Sequence, residues 1–303
     1  MLFTLTIFAA MAIGMIFPFR ALTLMPYGFV FFFALMVFAG LSLETRPRAS
    51  IKPLLPALIL GLFLCFVFLP LLQISLARLL LEDQQYLAGI YFASLAPVAI
   101  VAPFFTRMLG GDEEFSHLLM IASSALYPFV AFGMLLLMPL GSLPLDLLSL
   151  AKGMLLLVIF PVAVSFFIKH FFPKVPQQIR GMLPVLNSVC LGALVFILFG
   201  SAAQRLNFSY SARDELLKLV SLGFFQDFGV LGIASLLLPQ FFPTRIARAL
   251  AVSLSLKNTA IAASLLLFYS PNSAMPATLI FFPHALLFGL LSKSCFFFKK
   301  DLV

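Results

Sequence analysis

Ten stretches of the chain run apolar for long enough to predict helices that cross a bilayer, separated by short polar breaks. They extend approximately from Leu2 to Pro18, Pro26 to Leu43, Pro53 to Leu80, Tyr86 to Leu109, Phe115 to Pro139, Leu147 to Phe171, Met182 to Ala203, Leu216 to Pro239, Ile246 to Tyr269 and Ala277 to Ser292. A helix needs ~20 apolar residues to cross the hydrocarbon layer. Backbone amides cannot stay unpaired there, so each stretch should close its own hydrogen bonds as a helix. The pattern predicts an all-α membrane protein with ten transmembrane helices in one domain over residues 1–303. No linker longer than a short loop interrupts it.

Ten helices divide into five and five, and an odd-numbered repeat must lie inverted relative to its copy. SLAPVAIVAP in the fourth segment matches SLKNTAIAAS in the ninth, the same ordinal position in each half. Weak internal symmetry with interrupted segments at matching positions points to the binding site of a secondary transporter. The fourth segment carries Pro97 and Pro103, each of which removes a backbone donor and clashes with the preceding turn. The pair predicts a helix break, with carbonyls near Ser94 and Ala99 released toward a cavity.

Composition supports lipid as the solvent: 63% of the residues are hydrophobic and 10% charged, against ~25% charged in a soluble domain. The chain has 19 Lys and Arg against 11 Asp and Glu, a net charge of +8. The basic residues fall in short loops, so the excess reads as topology and not as affinity for nucleic acid. Arg46, Arg48, Lys52, Arg107, Lys169, Lys174, Arg180, Arg245, Arg248, Lys293, Lys299 and Lys300 fall on one side, and Arg20, Arg78, Lys152, Arg205, Arg213 and Lys218 on the other. That bias places both termini in the cytoplasm of a bacterial inner membrane. The N-terminal apolar run has no basic residue before it and no small-residue cleavage site, and reads as a first span. Cys65, Cys190 and Cys295 lie inside apolar segments without metal or redox spacing and read as buried packing residues.

Few side chains at membrane depth can carry chemistry. The centre of the ninth segment holds Ser253, Ser255, Lys257, Asn258 and Thr259, and Lys257 is too far from either end to snorkel. Asp227, beside Gln226 in the eighth segment, is the other charge well inside a span and is the expected counter-ion of Lys257. His284 in the tenth segment is a lone imidazole at depth. Asp112, Glu113 and Glu114 fit the start of the fifth helix as dipole-favoured caps. No hydrolase, metalloprotease or nucleotide-binding motif occurs, so neither an enzyme nor a cofactor or metal site is expected.

FAGLSLE, SLAPVAIVAPFFTRMLGGDEEFSHLLMIASS and SLSLKNTAIAASLL, taken in order along the chain, resemble the bile-acid:sodium symporter family. The resemblance implies panel helices 1, 2, 6 and 7, and a core of helices 3–5 and 8–10. It also implies discontinuous helices 4 and 9 crossing near the midplane, and transport of organic anions with sodium. The family's fourth-helix Ser and Asn ligands become Ala102 and Pro103. In the fifth helix Ser116 is kept and a Thr becomes Met120. In the ninth, Glu becomes Ser253 and Gln becomes Lys257, while Asn258 is kept; the third-helix Gln becomes Cys65. A hard cation needs several oxygen ligands, and these replacements remove most of them and add a fixed cation.

The expected function is therefore secondary transport of a small organic anion, sodium-independent or proton-linked, with Lys257 in place of sodium. Its expected site comprises Lys257, Asn258, Asp227, Gln226, Thr259, Ser253, Ser255, Ser116 and His284. Lipid is the surrounding partner. Alternatives are efflux of arsenite or another oxyanion, and a transporter-like fold kept as a sensor or structural protein.

Overall fold

The computed structural model describes residues 2–42, 52–137, 152–153, 155–205 and 210–298. Of the residues named above, Arg46, Arg48, Lys299 and Lys300 lie outside this set, as do the side chains of Arg213, Lys293 and Cys295. Among the described residues the secondary structure is helical, apart from one isolated β-bridge. The helices are α1 (Leu2–Ile16), α2 (Pro18–Leu24), α3 (Gly28–Ser42), α4 (Leu55–Phe63), α5 (Leu69–Leu80), α6 (Gln84–Leu95), α7 (Ala102–Met108), α8 (Glu113–Leu137), α9 (Phe160–Phe171), α10 (Lys174–Ile179), α11 (Leu183–Arg205), α12 (Tyr210–Phe224), α13 (Val230–Leu237), α14 (Thr244–Ser255), α15 (Thr259–Tyr269), α16 (Pro271–Leu279) and α17 (Phe281–Phe298).

Among the described residues, six continuous helical stretches are long and apolar enough to cross a membrane: Pro18–Ser42, Lys52–Leu80, Glu113–Met134, Leu183–Arg205, Asp214–Gln240 and Pro271–Leu291. Shorter apolar helices occupy Leu5–Ile16, Leu155–Phe171 and Thr259–Phe268. The chain is an integral multi-pass membrane protein. Phe19, Leu79, Phe166 and Leu236 are each more than two-thirds exposed, as side chains that face lipid should be.

Three π-helical turns interrupt the spans, at Leu64–Phe68, Leu155–Ile159 and Phe225–Gly229. The first two are each followed by a proline, Pro70 and Pro161, in the first turn of the next helical stretch. A proline has no N–H to return to the preceding turn, so widening the turn at that point sacrifices little. Asp112 caps α8 through its Oδ1, which accepts the Phe115 N–H at 2.9 Å.

Close helix approach relies on small residues, because lipid gives apolar side chains no reason to leave it. A Cβ at Gly14 of α1 would lie 2.6 Å from the Phe196 carbonyl oxygen and 3.2 Å from the Gly200 nitrogen of α11. A Cβ at Gly200 would collide with Ala21 of α2. Because the obstacle at Gly14 is backbone, Gly14→Val must push α1 off α11. The expected cost is ~1–3 kcal/mol, read as a lower unfolding temperature in detergent, whereas Gly133→Val, with nothing within 4 Å of its Cβ, leaves it within error.

Candidate functional site

The fourth segment is helical to Leu95, leaves the helix at Ala96–Ala99, turns at Ile100 and Val101 and is helical again from Ala102. Pro97 sits in the gap. Pro103 occupies the first turn of α7, where a missing N–H costs nothing. The ninth segment is interrupted at Leu256–Asn258 between α14 and α15, although none of these residues is a helix breaker. The two gaps lie antiparallel, with Val98 bridged to Lys257. The Ala99 N–H donates to the Leu256 carbonyl at 2.8 Å, and the Asn258 N–H to the Pro97 carbonyl at 2.7 Å. The Val98 N–H is taken by Ser123 Oγ of α8 at 3.1 Å, and Ser123 donates in turn to Met120 O at 3.0 Å. The Pro97 carbonyl is thus paired across the crossing, and the Ala99 carbonyl, expected to be released toward a cavity, accepts the Ala102 N–H at 3.0 Å. Each break completes the other's backbone.

Lys257 is 1% exposed. Its Nζ donates to the Cys65 carbonyl at 2.6 Å and lies 3.0 Å from Cys65 Sγ. The Phe66 ring is 5.9 Å away, within cation–π range. Asp227 is not its partner, which corrects the expected pair. The reason lies in the third span. A regular α-helix would spend the Cys65 carbonyl on the Leu69 N–H, but in the π turn that N–H goes to Leu64 O. The next candidate donor, at position 70, is a proline and has no N–H. The Cys65 carbonyl is left open at membrane depth, and the lysine closes it.

Asp227 instead meets His284 of α17, with Oδ2 and Nδ1 2.8 Å apart and exposures of 0% and 2%. The approach is within hydrogen-bonding distance but off the ideal angle, since neither atom makes a well-aligned hydrogen bond. Gln226, the preceding residue on the same π turn, donates from Nε2 to the Leu254 carbonyl near the end of α14 at 3.3 Å.

Ser116 of α8 and Ser253 of α14 are hydrogen-bonded through their hydroxyls at 2.8 Å, and Thr106 Oγ1 donates to Ser116 Oγ at 3.2 Å. Ser255 turns back to the Val252 carbonyl, 3.0 Å away. Thr259 is buried with its hydroxyl unpaired, and Asn258 is half-buried. Lys257, Ser116, Ser253, Asp227 and His284 thus fall into three small clusters, lysine with the π-turn carbonyl, a hydroxyl triad and an acid–imidazole pair, while Gln226, Ser255, Asn258 and Thr259 belong to none of them.

Residues outside the expected site complete the picture. Cys65 supplies the lysine's acceptor; Pro70, an isolated proline in an apolar run, was its visible signal. Ser123 and Thr106 are ordinary hydroxyls with no such signal. A cleft of about 840 Å³ runs between α3 and α9 on one side and α8 on the other, and reaches the fourth-segment break at Ile100. Met36, Met120, Phe129 and Phe166 give it an apolar wall, and Lys169 with His170 stands at the end of α9. A shallower apolar hollow of about 480 Å³ between α1 and α11 has no converging polar groups.

The hydroxyl triad is testable by a double-mutant cycle. Ser116→Ala and Ser253→Ala each leave a buried partner short of a hydrogen bond. The two together should cost less than the sum of the singles by ~1 kcal/mol in thermal unfolding.

The profile of the Sodium Bile acid symporter family matches residues 29–208, through the fourth-segment break and short of the ninth. Over 282 residues the chain is 22% identical to a Bacillus subtilis (strain 168) protein named "Uncharacterized sodium-dependent transporter YocS", covering 92% of this chain and 86% of that one. With more than half the chain inside the family's profile, the protein is a transporter and belongs to the sodium bile acid symporter family.

Proposed function

We propose that this protein is a secondary active transporter of a small organic anion in which the Lys257 ammonium stands where the family's coupling cation would bind, making transport independent of sodium. The observation that carries the reading is the buried contact of Lys257 Nζ with the Cys65 carbonyl. By resemblance, Cys65 and Lys257 replace a pair of glutamines near the ion path, and their replacements now bind each other. A cation already covalently attached repels a second one at that spot. The hydroxyl triad supports the same reading: Ser253 stands where relatives would carry a Glu, and it closes directly on Ser116. By resemblance sodium's carboxylate is gone, and Ser116, a retained oxygen donor, is engaged with the serine that replaces it.

The cleft is the proposed path of the substrate. Its apolar wall suits a hydrocarbon body, and Lys169 and His170 suit an anionic head. The proposed architecture is ten spans in two inverted five-helix repeats, arranged as panel and core, with both termini in the cytoplasm. The match in ordinal position between the breaks in the fourth and ninth segments supports it, as do the π turns in the third and eighth.

Uptake of radiolabelled cholate into proteoliposomes should stay within about twofold when sodium is replaced by choline, and Lys257→Ala should lower it by at least about tenfold, ~1.4 kcal/mol. Uptake that needs sodium and survives Lys257→Ala would overturn the assignment.

A further inference from the structure

A lysine fixed in the ion position cannot be loaded on one side and unloaded on the other, so a coupled transporter needs a second site whose occupancy changes. We infer that the Asp227–His284 pair is that site and that its ligand is the proton. The inference rests on the transport reading above.

The pair is built from two separate elements. Asp227 sits on the π turn Phe225–Gly229 of the eighth span and His284 on α17, with Oδ2 and Nδ1 2.8 Å apart. Helices 8 and 10 are pressed together close by, since a Cβ at Gly223 would lie 3.0 Å from the Pro283 ring and 3.2 Å from Ile280 Cα. Aromatic rings flank the imidazole: Phe288 stands edge-on at 5.5 Å and Phe281 lies at 6.0 Å. Phe288 in turn stacks on Phe105 of α7, the second half of the broken fourth span. A π turn inside a long helix commonly marks a functional position.

Other ionisable groups on the packed elements stand apart. On α14 they are Arg245 and Arg248, both exposed near its start; Arg248 reaches Leu109 O. Among the described side chains of α12 they are Asp214, Glu215 and Lys218, and Lys218 pairs with Asp214. Lys293 is nine residues beyond His284 on α17, and Arg107 of α7 is exposed beside Glu113. Lys257 is turned to Cys65.

Charge bookkeeping then defines two states. With one proton on the Oδ2···Nδ1 pair, whether held as acid and imidazole or as carboxylate and imidazolium, the site is neutral and can be sealed from water. Without it, one carboxylate is left unbalanced in hydrocarbon and must be opened to solvent. The sealed site seen here is the loaded state. Release returns the proton to water on the opposite side, with no other bond made or broken. Gln226 ties the same turn to the end of α14, so a shift of the π turn pulls on the crossing directly.

The test uses full-length protein in proteoliposomes, with radiolabelled cholate as probe and infrared titration as a probe-free measurement. A pH-dependent infrared change, in the Asp227 carboxyl bands or in the His284 ring bands, that is lost in Asp227→Asn and altered in His284→Gln is expected. Asp227→Asn and His284→Gln should each lower cholate accumulation driven by a pH gradient about tenfold more than they lower cholate counterflow. Asp227→Glu should recover part of the accumulation, and size-exclusion profiles establish that each variant folds. Gradient-driven accumulation that persists in a folded Asp227→Asn protein overturns the inference and leaves the transport reading standing. If wild-type protein moves no cholate in either mode, the transport reading fails for that anion; the absence of any pH-dependent infrared change from either Asp227 or His284 would then overturn the proton site on its own.

Discussion

Everything in the core depends on one obligation: a peptide group in hydrocarbon must find a partner inside the protein. Two spans that each leave the helix would violate it separately. Laid antiparallel, they satisfy it together, because the donors at Ala99 and Asn258 meet the acceptors at Leu256 and Pro97. What cannot be exchanged between the gaps is taken up from outside, as Ser123 does for Val98. The crossing is therefore a mutual arrangement, and the breaks form as a pair or not at all. Two helix starts and two helix ends converge there, which concentrates both signs of helix dipole in a small volume.

The same obligation explains the lysine. Removing an ammonium from water is expensive, and a buried charge without partners is among the costliest defects a core can hold. A free carbonyl at the same depth is a defect of the opposite kind. The π turn and Pro70 create the second, Lys257 is the first, and each cancels the other at 2.6 Å. Exchange of a charged partner for a peptide carbonyl also leaves Asp227 available for His284. Had the two deep charges paired directly, both the carbonyl and the imidazole would have been left without these contacts.

Much of this was readable from the residues. The apolar runs located the helices, Pro97 and Pro103 located the fourth-segment break, and the scarcity of deep charge singled out Lys257, Asp227 and His284. The break in the ninth segment was not readable from local chemistry, since Leu256, Lys257 and Asn258 are each acceptable in a helix; the partner strand across the crossing imposes it. The lysine's partner was missed because ion-pair reasoning counts charges, whereas the acceptor is a neutral backbone group. Counting backbone donors around Pro70 would have exposed that carbonyl. The wall of the cleft could not be read at all, because it combines residues from four segments whose packing no single stretch encodes.

Family membership fixes the kind of machine, while the departures decide how it is driven. A bound ion contributes to coupling only if it is absent in part of the cycle, because an interaction present throughout favours no state over another. Lys257 is present throughout. In the reading proposed above, it keeps the ion position occupied at every stage of the cycle. The driving event must then lie in a group whose charge does change. Within the described spans the carboxylate and imidazole on helices 8 and 10 are the groups that face each other without a permanent cation between them. Asp227 is one residue from Gln226, which donates to the Leu254 carbonyl near the end of α14, and through that contact the proposed change of charge would reach the crossing.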